Sequence, residues 1–127
     1  MNELLDSGAA LPSSSAGPDD VAAILYTLGN SGEPRGAMLA HASLLRNAAG
    51  VAAALDCTPA DVFLGAVQFS NAFGLTPTIL ACAVAGAQLA PLPVYHAGDS
   101  LALIEQAKVT VHHGTPTMFA LELNHPD

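Results

Sequence analysis

The sequence predicts an α/β fold in which mostly parallel, buried strands alternate with helices. Three observations lead there. Short, uncharged, mostly apolar runs at Val21–Thr27, Val62–Val67, Ala87–Leu92 and Val109–His112 are separated by stretches that end in Gly, Asn or Pro or that carry helical spacing. The runs are near-continuous rather than alternating, the pattern of strands covered on both faces. The third observation is the balance of residue types. Of 127 residues, 51% are hydrophobic and only 11% are charged, where ordinary soluble domains carry about 25% charge. That excludes intrinsic disorder. It also implies that much of the apolar surface faces other protein, as in a sub-region of a larger domain.

Taken in order, residues 1–20 become rich in Ser, Gly, Pro and Asp from Pro12 onward and read as a flexible linker, leaving 21–127 as the folded unit. Val21–Thr27 reads as a strand, Leu28–Gly36 as a loop and Ala37–Ala40 as a second short strand. In His41–Leu55 the residues Leu44, Ala48, Ala52 and Leu55 share one helical face. Thr58-Pro59-Ala60-Asp61 is a turn with the looser capping signature, and Val62–Val67 follows as a buried strand. Phe73–Ala85 reads as a buried helix before the strand Ala87–Leu92. Asp99 or Ser100 can cap a short helix ending at Lys108, and Val109–His112 is the last strand. Thr115 and Pro116 supply a cap and a first-turn proline for a helix over Thr117–Leu123.

Charge excludes two classes of partner. The net charge is −8, with three basic residues (Arg35, Arg46, Lys108) against eleven acidic ones, and nucleic acid or an anionic membrane surface requires clustered Lys and Arg. Leu75–Val94 is uncharged and about as long as a membrane span, but Pro77, Gln88, Pro91 and Pro93 interrupt it, so a buried helix followed by a strand is expected instead. Cys57 and Cys82 lie far apart and suggest neither a disulfide framework nor a zinc site, which fits a reducing cytoplasm. His112 and His113 are adjacent on a strand and point to opposite faces, so no shared metal is expected. His41 at a helix start, and Asp61 beside its turn, read as structural.

The segment that carries chemistry is Tyr26-Thr27-Leu28-Gly29-Asn30-Ser31-Gly32-Glu33-Pro34-Arg35-Gly36. Its glycines let the backbone turn tightly and bring amides close to a ligand. Successive amides in such a turn form a concave nest for phosphate oxygens. Asn30 and Ser31 add side-chain donors, and Arg35 adds a forked cation. The spacing is not that of the Walker loop. Glycine spacing alone also fits a plain turn joining two strands.

This segment resembles the signature of the adenylate-forming superfamily, Tyr-Thr-Ser-Gly-Thr-Thr-Gly-x-Pro-Lys-Gly. Tyr26, Thr27, Gly29, Gly32, Pro34 and Gly36 match, and Ser31 and Arg35 are conservative replacements. The flanks Ala22–Tyr26, Ala37–His41 and Leu44-Leu45 are similar too. So are Asp61–Leu64, Phe73-Gly74-Leu75, Lys108–Val111 and Gly114–Phe119. The resemblance covers nearly everything after residue 20 and leans toward fatty-acyl and aryl-CoA ligases. It implies that 21–127 is a partial AMP-binding domain, a sub-region of the large N-terminal domain of such enzymes. The implied reaction joins a carboxylic acid to ATP, with Mg2+, giving an acyl-adenylate, and then transfers the acyl group to coenzyme A. The implied phosphate-binding residues are Thr27, Gly29, Asn30, Ser31, Gly32 and Arg35. Asn71, Gly74 and Gly114 fall where the family lines its acyl pocket.

Departures temper the activity expected of this chain. Leu28 replaces a serine, removing a hydroxyl worth about 1–3 kcal/mol if its partner stays unpaired. Arg35 replaces a lysine and is planar rather than a point charge. Gln68, Ser70 and Asn71 replace a proline, an aromatic residue and a histidine. The aromatic-Gly-x-Thr-Glu run, the ribose aspartate and the catalytic lysine of the family have no counterpart in this sequence. The expectation is therefore a fragment that is inactive alone, with no catalytic residue assigned. The alternatives are an interaction module that completes a domain with another chain, and a decayed gene remnant.

Overall fold

The computed structural model describes residues 15–28 and 32–126. Strands β1 (Val21–Leu28) and β2 (Pro34–Ala40) form an antiparallel hairpin. It leads into helix α1 (His41–Ala54), and then into β3 (Val62–Gly65). A π-helix over Gly74–Leu80 runs without a break into α2 (Ala81–Ala85), followed by β4 (Gln88–Pro91). Helix α3 (Ala97–Ala107), β5 (Val111–His112) and α4 (Pro116–Leu123) complete the order. The second sheet is three-stranded and all parallel, in the order β4-β3-β5. The α/β fold with a parallel sheet is thus present.

The central strand carries the packing. Phe63 and Leu64 are both fully buried, one on each face of β3. Phe63 pairs with Val111 and sits with Ala48 of α1 and with Ala81 and Cys82 of α2. Leu64 pairs with His112, whose face is covered by α3 and α4. Small residues at Ala48 and Ala81, neither exposed at all, let the helices approach the sheet closely. At the other end of the strands, Asp61 accepts from Thr58 N and Thr58 Oγ1 at 2.7 and 2.9 Å through one oxygen and from Thr110 Oγ1 at 2.7 Å through the other. Thr110 Oγ1 in turn accepts from Val62 N at 3.0 Å. This network clamps the starts of β3 and β5 together.

Several elements differ from the expectation, each for a physical reason. The first two strands are antiparallel and largely exposed, and their ladder takes in Leu28 and Pro34–Gly36, which the sequence assigned to the loop. A proline fits there because it opens the strand, where its missing N–H costs least. The helix expected over Phe73–Ala85 is widened into a π-helix around Pro77, which has no N–H to donate; Ala81 N closes the wide turn onto Thr76 O. Ser100 does not cap α3. The helix starts earlier, at Ala97, and Ser100 is buried in its first turn as a donor to Glu122 Oε1 at 2.7 Å. The Thr115 cap forms as expected, with Thr115 Oγ1 accepting from Met118 N at 3.4 Å and Pro116 in the first turn.

The linker reading of residues 1–14 lies outside the described residues. The part that is described is tied down: Asp20 O accepts from His41 N at 3.1 Å and Pro18 O from Ala42 N at 2.8 Å. These carbonyls satisfy donors that α1 would otherwise leave open, since Ala40 offers no side-chain cap. Among the described residues no helix is long and apolar enough to cross a membrane.

Candidate functional site

The hairpin positions the first group of predicted residues. Cross-strand partners share a face, so the pair Thr27–Arg35 puts a hydroxyl and a guanidinium side by side at the end of the ladder. Their neighbours Tyr26–Gly36 and Leu28–Pro34 fall on the opposite face, with Ile24–Met38 beyond. Leu28 therefore extends an apolar surface with Tyr26 and Met38, away from Thr27 and Arg35; these three side chains are 86%, 75% and 71% exposed respectively. Among the described residues Arg35 has no ion-pair or hydrogen-bond partner, whereas Arg46 spends its Nε on Ala42 O at 3.2 Å.

Gly32 has φ of +78° with open space where a side chain would start, so backbone conformation and not crowding calls for glycine there. Gly36 is constrained by crowding instead: a Cβ would fall 2.9 Å from Ile24 Cγ2. Gly29, Asn30 and Ser31 lie outside the described residues.

Of the second group, Asn71 and Gly74 meet in one turn, while Gly114 lies just past the end of β5. Asn71 Oδ1 accepts from Gly74 N at 2.9 Å and starts the π-helix. Gly74 packs so tightly that an added Cβ would lie 2.1 Å from Gln68 O. Phe73 next to it meets His113 edge-on, with ring centroids 6.2 Å apart, and His113 adjoins Gly114. The space beside Gly114 is filled by Phe119 and His112, at 3.2 and 3.4 Å from a built Cβ.

A cavity of about 380 Å³, largely apolar, opens between the base of the hairpin and the π-helix. Leu39, Ser43, Asn47, Phe73, Thr76 and Pro77 are among its walls. Phe73 and Ala72 touch both this cavity and the Asn71–Gly74 turn. A second cavity, about 310 Å³, lies at the ends of β3 and β4 and holds none of the predicted site residues.

Sequence reasoning missed His113. Its ring lies between Phe63, at 6.0 Å, and Phe73. Burial, with His112 adding to it, holds its pKa below the usual histidine value. No local pattern marks it, because both rings come from distant segments. Glu122 was missed for the same reason. Its side chain is 7% exposed and takes Ser100 Oγ at 2.7 Å, Tyr95 OH at 3.3 Å and, as an ion-pair partner, His112 Nδ1 at 3.6 Å. As expected, the two adjacent histidines face opposite ways. No group of three or more metal-ligating side chains converges among the described residues.

The comparison with known proteins agrees with this architecture. Residues 2–127 match the AMP-binding enzyme family, and the chain belongs to that family. It is 39% identical to YngI of Bacillus subtilis (strain 168), over 86% of this chain and 20% of that protein. It is 33% identical to a long-chain-fatty-acid–CoA ligase of the same organism, over 85% of this chain and 20% of the ligase. Among solved structures, ATP-bound MatB from Rhodopseudomonas palustris superposes with a TM-score of 0.83 at 34% identity, covering 94% of this chain and 24% of MatB. The fold is thus part of the N-terminal domain of adenylate-forming enzymes. The chain spans about a fifth of the length of the curated relatives it matches.

Proposed function

We propose that this chain is the phosphate-holding segment of an ATP-dependent acyl-CoA synthetase. The observation that carries the proposal is the Thr27–Arg35 pair, which places a hydroxyl and a guanidinium on one face of the hairpin close to Gly32, whose φ is positive. In the complete reaction a carboxylate attacks the α-phosphate of ATP, pyrophosphate leaves, and the acyl group of the adenylate passes to the thiol of coenzyme A. The part of this chain in that scheme is positioning and charge neutralisation. Thr27 and the amides through Gly32, with Asn30 and Ser31, would cradle the β- and γ-phosphates, and Arg35 would offset the charge gathering on pyrophosphate. Mg2+ would enter with the ATP phosphates and add to the charge neutralisation there. The apolar cavity walled by Phe73 and Pro77 suits the body of the acid, with Asn71, Gly74 and Gly114 shaping its approach.

Alone, the chain is expected to bind polyphosphate but not to turn over. The check is ATP–pyrophosphate exchange with the purified chain across a panel of aliphatic and aromatic acids. Exchange at rates typical of acyl-CoA synthetases would overturn the claim of inactivity. A second reading, an interaction module that completes a domain with another chain, is favoured by the exposed apolar face at Ile24, Tyr26, Leu28 and Met38. A monomer in sedimentation that binds no hydrophobic dye would count against it.

A further inference from the structure

His112, the last residue of β5, and His113, which follows it, have opposite surroundings. His112 turns toward α3 and α4, where its Nδ1 lies 3.6 Å from Glu122 Oε2, so a positive charge there is met by a carboxylate. His113 turns the other way, between Phe63 of β3 and Phe73 at the start of the π-helix. Neither ring offers an acceptor, and His113 Nδ1 is buried without a hydrogen-bond partner among the described residues. His112, the preceding residue and facing away, is the titratable neighbour that adds to the effect of burial; β3 and the π-helix carry no charged residue, and Arg46 of α1 is bonded to Ala42 O. Phe73, the edge-on partner, is also a wall of the apolar cavity.

We propose that His113 is a proton-sensitive positioning residue for Phe73: neutral, its ring holds Phe73 in place as a cavity wall; protonated, it leaves the aromatic clamp and Phe73 loses its support. The cost of charging the ring in place decides the direction. Charging the half-buried ring in place would put a proton on Nδ1, which is buried with no acceptor among the described residues. Attraction to the two phenyl rings, one tilted and one perpendicular to the imidazole, offsets part of this. The sign follows. With its folded pKa depressed, His113 is neutral and clamped at neutral pH, and the clamp is lost as pH falls through that lowered value. What the cavity holds rests on the function proposed above; the movement of Phe73 does not.

The test is an NMR titration of the full chain, with ring-labelled His and Phe, from about pH 8 to about pH 5. Phe73 ring resonances are expected to shift with the same midpoint as His113, below the 6.5 of an unperturbed histidine. In His113→Phe, which keeps an aromatic ring but has no proton to take up, Phe73 should stay constant. If that variant does not fold, Phe73→Leu serves instead: opening the clamp should raise the His113 midpoint toward 6.5. A Phe73 shift that persists in His113→Phe, a Phe73 midpoint that departs from that of His113, or a His113 midpoint unmoved by Phe73→Leu would overturn the proposal. Binding of octanoate, followed in the same samples, is a separate readout. Its failure at every pH would remove the acid-cavity reading, while the clamp stands or falls on the ring shifts.

Discussion

Replacing Gly74 with alanine should destabilise the chain and disturb the Asn71–Phe73 turn, whereas the same change at Gly50 should stabilise it. At Gly74 the new methyl would sit 2.1 Å from Gln68 O, 2.6 Å from Gln68 C and 2.8 Å from Phe69 Cα. All three are backbone atoms, so no side chain can swing aside. Restoring ordinary contact requires the turn and the first residues of the π-helix to part by more than an ångström. Overpacking of this kind costs about 1–3 kcal/mol, and rigid atoms on one side place it near the top of that range. The intrinsic helical gain of alanine over glycine, about 1 kcal/mol, offsets part of it. A net loss of about 2 kcal/mol remains. Gly50 lies in the middle of α1 with nothing within 4 Å of a built Cβ, so only the helical gain of about 1 kcal/mol applies. Urea unfolding followed by far-UV circular dichroism reads both. With a slope of about 1–3 kcal/mol per molar for a chain of this size, the two variants should straddle the parent by midpoints about 1–3 M apart. Equal midpoints for Gly74→Ala and the parent would mean that the turn relaxes freely. Gly74 would then not hold Phe73 against the cavity.

Three further outcomes follow from the same geometry. Asn71→Ala should lose about 1 kcal/mol, the usual worth of a side chain that caps a helix start, and Asn71→Asp should restore most of it in the same unfolding assay. Glu122→Leu should cost about 1–3 kcal/mol because it strands the fully buried Ser100 hydroxyl, while Glu122→Gln, which keeps an acceptor, should cost less. Hydrogen bonds from Thr110 and Thr58 hold the Asp61 carboxyl below its usual range. Its contribution is therefore present above the unfolded carboxylate value and is lost as pH falls through the folded one. Asp61→Asn should flatten the acid side of the stability curve from about pH 3.8 downward and leave its slope unchanged near neutral pH, measured by thermal unfolding in a buffer series.

The parts of the fold that were legible in the sequence are those fixed by short-range rules. Helix α1 was expected over His41–Leu55 and spans His41–Ala54, because Leu44, Ala48 and Ala52 repeat at helical spacing and are the residues it buries. Thr115 and Pro116 mark the start of α4 by a cap and a missing donor, both local. Hydrophobic pattern could not distinguish a π-helix from an α-helix around Pro77, since both bury the same kind of residue. Nor could it show that β1 and β2 pair with each other, because near-continuous apolar runs also suit an exposed face reserved for other protein. The site followed the same division. Thr27 and Arg35 were visible from the signature, but their placement on one face needed the register of the hairpin. His113 and Glu122 were invisible. Their partners come from β3 and the π-helix in one case and from the β4–α3 connection and α3 in the other, and no spacing rule joins such segments.

The central claim is that the turn between β1 and β2 binds polyphosphate through its own amides and Arg35. It is tested most directly by titrating the 15N-labelled chain with inorganic pyrophosphate and mapping amide shifts. Saturable shifts confined to residues 27–36, weakened in Arg35→Ala and abolished in Gly32→Val, are the predicted result. Shifts scattered over the surface, or none at millimolar pyrophosphate, would contradict it.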